Sequence, residues 1–348
     1  MIEKELKDIS WLVDEPTYRQ DPALSYSILA KYEREGFENI PTLFDRVETP
    51  SLTFGSMVDS IITGGQKEFE ERFFVAEFPD IPDSVINIVR ELFSAFKSSY
   101  KALSDIPNTL IIDSTERNKY QLNWKPETRA KVIKEKGEEY YNLLHLAGDK
   151  TVVNTELYNE CMAAVRALKE SEATRWYFQD DSPFDNTKRY YQLKFKATIY
   201  DVDYRIMADL IIVDYDHKII YPVDLKTSFK PEYKFYKSFI EWRYDLQSKL
   251  YHKVIRRNLD MDDYFKDFKL LPYRFIVVNK KTLNPLVWEY DLTTSEINDA
   301  LGKNNQIELR SPWVIGKELR YYLDNNSKVP NKINLTGTND LRTWINTL

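Results

Sequence analysis

Residues 204–251 read YRIMADLIIVDYDHKIIYPVDLKTSFKPEYKFYKSFIEWRYDLQSKLY. Two runs rich in Ile, Val and Tyr flank the polar Asp214-Tyr215-Asp216-His217-Lys218, a pattern that predicts a β-hairpin. The first strand carries Asp209, beside Ala208 and Leu210-Ile211-Ile212-Val213; the second carries Asp224-Leu225-Lys226. Strand side chains alternate faces, so Asp224 and Lys226 are expected on one side and Val223 and Leu225 on the other. Carboxylates and an amine in apolar strands cost free energy unless they are paired, hydrogen-bonded or metal-bound. A helix is expected over 238–258. Its one face gathers Ile240, Tyr244, Gln247, Tyr251 and Val254, so Gln247 is expected to be buried and to need partners.

Two carboxylates converging at strand ends make a hard-oxygen site, suited to Mg²⁺ or Mn²⁺. Such a metal lowers the pKa of a bound water and neutralises charge growing on a phosphate. A lysine two residues beyond a carboxylate can hold that water or stabilise the phosphate. Asp209, followed fifteen positions later by Asp224-Leu225-Lys226, resembles the PD-(D/E)XK nuclease pattern. Gln247 and Tyr251 resemble the Q-x-x-x-Y helix motif of the RecB-like branch. Asp224-Leu225-Lys226-Thr227-Ser228 is similar to the D-x-K-T segment of RecE/Cas4-type phage and bacterial exonucleases. The resemblance implies that Asp209, Asp224 and the Leu225 carbonyl bind metal. It implies that Lys226 orients or activates water, and that Gln247 and Tyr251 hold DNA or brace the site. Without the resemblance, the same residues read as a hairpin whose acids pair with Lys226 or Arg205.

Composition sets further bounds. With 348 residues and 43% hydrophobic content, the chain can bury a sizeable core. No run of eighteen apolar residues occurs, so no transmembrane helix is expected. The charged start MIEKELKDISW has no apolar signal core, so a cytoplasmic location is expected, in a bacterium or in the host of a virus. Cys161 is the single cysteine, which excludes an intramolecular disulfide and the iron–sulfur cluster that some relatives carry. His145, His217 and His252 lack metal-ligand spacing, and no Walker-type loop for ATP is present. Net charge is −6, yet residues 217–257 carry ten basic and four acidic side chains, against six and eleven in residues 1–50. That basic stretch, with Lys230, Lys234 and Arg243, would attract a phosphate backbone. It reads equally as a solvated, lysine-rich helix face.

Ser25-Tyr26-Ser27-Ile28-Leu29 marks a helix start, and a second helix is expected over 54–63. RecB-like nucleases commonly show an S-x-S-x-L start and a G-S-x-x-H helix whose histidine binds metal. Here Gly55-Ser56-Met57-Val58-Asp59 puts Asp59 in the histidine position, a harder ligand that suits Mg²⁺. An exposed helical aspartate is the plain alternative. Helices are expected over 83–103, 127–146 and 155–178, with a short strand and irregular connector over 108–124. These helices are expected to wall a DNA channel. Trp124, Trp176, Tyr177 and Phe178 are candidates for base stacking or for core. Strands are expected over 189–200, 273–278 and 286–290, helices over 293–301 and 313–323, and a polar tail over 325–339. Relatives often carry a glutamate on the 189–200 strand; this chain has Gln192, Lys194 and Lys196 instead.

The expected fold is α/β, a mixed sheet flanked by helices around a PD-(D/E)XK-like core. A helical lobe would cover 1–185, the core 186–305 and an extension 306–348. The implied activity is metal-dependent hydrolysis of DNA from its ends, in recombination or DNA processing. Implied partners are linear DNA, a single-strand-annealing or other recombination protein, and further copies of the chain. Two alternatives stay open: a structure- or site-specific endonuclease of the same superfamily, and an inactive DNA-binding or assembly protein with the same fold, which the missing acid supports.

Overall fold

The structure is a computed structural model that describes residues 2–44, 50–290 and 310–325. Along the chain run α1 (Glu15–Gln20), α2 (Tyr26–Glu35), α3 (Pro50–Arg72), β1 (Phe73–Ala76), α4 (Asp83–Phe96), α5 (Asn108–Arg117) and α6 (Pro126–Ala147). There follow β2 (Thr151–Asn154), α7 (Thr155–Glu170), α8 (Arg175–Phe178), β3 (Thr187–Ile199), β4 (Val202–Asp214) and β5 (Ile219–Ser228). The described chain closes with α9 (Phe235–Glu241), α10 (Tyr244–Asp260), β6 (Lys269–Leu270), β7 (Tyr273–Asn279), β8 (Leu286–Tyr290) and α11 (Pro312–Asp324). The helix expected over 293–301 and the tail beyond Asn325 lie outside the described residues.

The chain divides into two units, one of Met1–Gly55 with Ala164–Leu348, the other of Ser56–Ala163. Residues 1–55 therefore group with the sheet, where a lobe running unbroken to 185 was expected. The first unit holds a mixed sheet of order β3-β4-β5-β7-β8, with β6 beside β5. Antiparallel ladders join β3 to β4, β4 to β5 and β7 to β8, while β5 and β7 run parallel. Local chemistry closes the hairpins. Tyr200 and Asp201 both take positive φ in the two-residue turn between β3 and β4, the geometry that matches strand twist. Between β4 and β5, the Asp214 carboxylate accepts the His217 N–H at 3.0 Å, and Lys218 takes φ +54°.

The parallel return from β5 to β7 needs a crossover, and α9 and α10 supply it. Leu246, Leu250, Val254 and Ile255 of α10 are buried in one core with Ile206 and Ala208 of β4 and Phe275 and Val277 of β7. Leu29 and Tyr32 of α2 and Ile315 and Leu319 of α11 share that core. Each Leu, Ile, Val or Phe among them contributes roughly 1.5–3 kcal/mol by leaving water. The helix expected over 238–258 is two helices. Arg243 breaks it at φ +55°, its guanidinium held by Asp245 and Glu33 at 2.9 and 2.8 Å. Ile240 is exposed, so the expected apolar face holds only from Tyr244 onward.

The second unit packs α4, α5 and α6 around Val85, Val89, Leu92, Ile111, Ile133 and Tyr140, with a parallel pair β1–β2. The strand expected within 108–124 is instead α5. A short Leu-Ile-Ile run carries no period of its own, and Ile111, Ser114 and Thr115 are buried at helical spacing. Helix α4 stops at Phe96 rather than at 103, and α7 stops at Glu170, with the short α8 beyond it. Gly65, at φ +68°, interrupts α3 after the expected 54–63 helix. Among the described residues, no helix is long and apolar enough to cross a membrane.

Candidate active site

The site forms where β5 parts from β4. Pairing of β4 with β5 runs from Asp214–Ile219 to Leu210–Val223 and then stops. One step further, the register would set Asp209 opposite Asp224. From Val223 to Ser228, β5 is held on its other edge by β7, and beyond Val223 the edge toward β4 is left open. Lower on β4, the vacated edge is met by Leu24, which donates to the Asp203 carbonyl and accepts from the Arg205 N–H at 2.9 and 3.0 Å. The Ser25 start of α2 is thereby anchored beside the opening, with Ser25 Oγ 3.0 Å from Ser27 Oγ rather than capping its helix.

The Asp209 carboxylate fills the gap by accepting the Leu225 N–H at 3.0 Å. In a strand, one residue's N–H and C=O leave by the same edge, so the Leu225 carbonyl also faces the unladdered side. Asp224 is 1% exposed. Its Oδ1 accepts from Gln247 Nε2 of α10 and from the Tyr273 hydroxyl at 3.5 Å. Its Oδ2 touches the Lys226 ammonium as an ion pair, without an aligned hydrogen-bond donor. Isolated burial of this carboxylate would cost several kcal/mol, and these three partners offset it. The Lys226 side chain, 18% exposed, lies over the Tyr244 ring at 4.7 Å. Burial opposes its charge, but Asp224, Tyr244 and Asp209 outweigh that, and its pKa stands above the ordinary lysine value. Lys226 is therefore a firmly protonated donor.

Tyrosines complete the surround. Burial, reinforced by the Asp224 charge, raises the hydroxyl pKa of Tyr26, Tyr244, Tyr251 and Tyr273. Tyr251 packs edge-on against Tyr273 with ring centroids 5.8 Å apart. The sequence places Tyr244 on the helix face and Tyr26 at a helix start but marks neither, nor Tyr273, as a site residue; 24 tyrosines dilute any signal. Gly55, at the start of α3, lies against the same strand. A Cβ there would stand 3.1 Å from Thr227 Oγ1, so the missing side chain permits this approach. Asp59 falls in the helical unit, half-buried, its carbonyl accepting from Thr63 Oγ1 at 2.9 Å.

Gln192 breaks the β3–β4 ladder opposite Asp209. Tyr191 pairs with Leu210 and Leu193 with Ala208, while Gln192 adopts φ +53°. A non-glycine residue held there costs on the order of 1–3 kcal/mol, which is found where a site over-determines the backbone. Lys196 is drawn away to Asp21 at 2.8 Å. The Lys194 carbonyl accepts from the Trp11 N–H at 2.7 Å.

Other candidates are placed elsewhere. Arg243 is buried and committed to Asp245, Glu33 and the Arg310 carbonyl, so it presents nothing to a phosphate. Lys230 pairs with Glu241 at 2.5 Å, and Lys234 is exposed over the Tyr233 ring. Arg205 is buried, and its guanidinium donates to the Tyr18 and Asp21 carbonyls. Tyr177 and Phe178 are core, and Trp176 packs on Tyr221 at 5.1 Å; Trp124 stays exposed. His217 pairs with Asp214, and His145 packs on Phe93 and Tyr141.

Among the described residues, no three His, Cys, Asp or Glu side chains gather as a metal site. The donors present are the Asp209 and Asp224 carboxylates, the Leu225 carbonyl and Gln247 Oε1. That amide oxygen is buried with no hydrogen-bond partner. All are oxygens, which fits a hard cation that keeps several waters. The Lys226 ammonium occupies the Asp224 oxygen such a cation would take.

No family model and no curated protein matches the chain. Among solved structures, the crystal structure of a "putative exonuclease" from Eubacterium rectale aligns over 96% of this chain and 98% of its own. Sequence identity is 13% and the TM-score 0.46, too loose a likeness to carry over residues or chemistry.

Proposed function

We propose that the protein is a metal-dependent nuclease that hydrolyses DNA phosphodiesters, acting from ends in recombination or DNA processing of a phage or bacterium. The observation that supports this is the opening of the β4–β5 ladder at Asp209 and Asp224, with Lys226 against the second acid. Asp209, Asp224 and the Leu225 carbonyl would hold Mg²⁺ or Mn²⁺. When bound, such an ion supplies an activated water and neutralises charge on the phosphate. Asp209 fixes the Leu225 backbone through the hydrogen bond it accepts, and Gln247 and Tyr273 aim Asp224 through theirs. Lys226 would orient or activate the attacking water, or donate to the phosphate oxygens. Tyr251 braces Tyr273 and the wall around Asp224.

A second reading is a catalytically silent DNA-holding protein, favoured by Gln192 standing opposite Asp209 where an acid would complete the site. Incubation with Mg²⁺ and two DNAs, one linear and one covalently closed, separates the readings. Loss of the linear DNA alone, abolished by Lys226→Ala, is the expected result. Cutting of the closed circle would assign an endonuclease. Absence of cleavage with Mg²⁺ or Mn²⁺ would leave the silent binding protein.

A further inference from the structure

The segment that leaves β5 repeats one dipeptide: Phe229-Lys230, Tyr233-Lys234 and Tyr236-Lys237, each an aromatic residue followed by lysine. All three rings face solvent, at 60%, 61% and 50% exposure, and Trp242 follows at 42%. Burying such rings would stabilise the fold, so leaving four in water within fourteen residues marks a contact surface. The rings stand on a firm base. Phe235 of α9 is buried and stacks on Tyr244 with centroids 5.6 Å apart at 18°, and Tyr244 packs on Phe275 of β7. Tyr233, Tyr236, Lys237 and Ile240 follow helical spacing and share the outward face. Tyr236 and Ile240 also border an apolar hollow of about 260 Å³ with Phe239 and Trp288.

Charge on this face is mainly basic, and Glu289, which also lines the hollow, is paired with Arg274 at 2.8 Å. Lys234 lies over the Tyr233 ring at 5.4 Å, Lys280 over Phe229 at 5.7 Å, and Arg34 over Trp242 at 5.0 Å. Glu232 is turned inward, accepting from the Asn279 and Asn284 N–H groups at 3.1 and 3.0 Å, and Glu241 is neutralised by Lys230. Lysine is depleted from the cores of protein–protein interfaces, so this mixture is a poor fit to a protein partner. Alternating π faces and cations match a polyanion whose own π faces are free. Only unpaired bases offer theirs, because a duplex has already stacked them.

We infer that residues 229–242 form a docking track for single-stranded nucleic acid, with Phe229, Tyr233, Tyr236 and Trp242 stacking on bases and Lys234, Lys237 and Lys280 meeting phosphates. Phe229 is three residues beyond Lys226, about 10 Å along an extended chain, so a bound strand would run directly to the carboxylate pair. This rests on the nuclease reading only for what happens at Asp224; binding to the track does not require it.

The test is fluorescence anisotropy in EDTA with the full chain and a labelled oligothymidylate of about 20 nucleotides, longer than the ~4–16 that one binding fold covers. A duplex of equal length is the comparison. The wild type is expected to prefer the single strand. Tyr233→Ala with Tyr236→Ala should weaken single-strand binding by roughly tenfold or more. Tyr233→Phe with Tyr236→Phe keeps the π faces and should bind as wild type, at unchanged melting temperature. Lys234→Ala with Lys237→Ala should lower the slope of log affinity against log salt by about 1.4. Equal or stronger duplex binding, or full single-strand affinity in the double alanine variant, would overturn the track. Selective binding by a protein that cleaves nothing would uphold the track and remove the nuclease reading.

Discussion

The Asp209 carboxylate accepts the Leu225 N–H at 3.0 Å, doing with a side chain what the β4 backbone does for β5 up to Val223. One acid is thus both a structural acceptor and a charged wall of the cleft. Asp209→Asn keeps a carbonyl oxygen for Leu225 and should fold with nearly wild-type stability while losing Mn²⁺ affinity in calorimetric titration. Asp209→Ala strands the amide and should cost about 1–3 kcal/mol in urea unfolding as well. Equal stability of the two variants would refute the structural half of this role.

On the proposed function, a divalent ion would compete with Lys226 for Asp224 Oδ2. In Lys226→Ala the buried carboxylate loses its counter-charge, and breaking such a pair costs about 3–5 kcal/mol. The variant should melt well below wild type in EDTA and recover part of that loss with Mn²⁺, since an ion that binds only the folded state stabilises it. Cleavage should be lost throughout. A variant whose melting ignores Mn²⁺ would argue that the carboxylates hold no metal.

Gln192 stands in a left-handed conformation opposite Asp209. Gln192→Glu adds a third carboxylate at that edge. Mn²⁺ affinity should rise, while stability without metal should fall through repulsion from Asp209. Unchanged affinity would show that the Gln192 side chain does not reach the ion.

His252 gives the fold a pH dependence separate from the site. Burial, aided by Arg256, pushes its imidazole down to about 4. The folded pKa lies below the unfolded value of about 6.5, so the stability it protects is complete above pH 6.5 and drains as pH falls toward 4. The loss should reach about 2–3 kcal/mol. Urea unfolding at pH 7 and pH 4.5 should show it, and the difference between those pH values should shrink in His252→Gln.

Local chemistry wrote much of this protein into its sequence. Alternation and the Asp214–Lys218 turn specify the β4–β5 hairpin, and period two places Asp224 and Lys226 on one face, where they meet as an ion pair. Helical spacing from Tyr244 to Val254 brings Gln247 onto Asp224, as an amide among apolar neighbours requires. Short apolar runs carry no such period, which is why α5 reads as a strand. What tertiary structure decided is where ladders end. The opening between Asp209 and Asp224 exists because β5 parts from β4 beyond Val223 while β7, some fifty residues further on, holds its other edge, and Leu24 claims the vacated lower edge of β4. Gly55 against Thr227, the break at Arg243 and the left-handed Gln192 likewise depend on neighbours distant in sequence. Side-chain periodicity is a property of each segment alone, whereas a strand's partner is settled by competition among all the edges the folded chain presents.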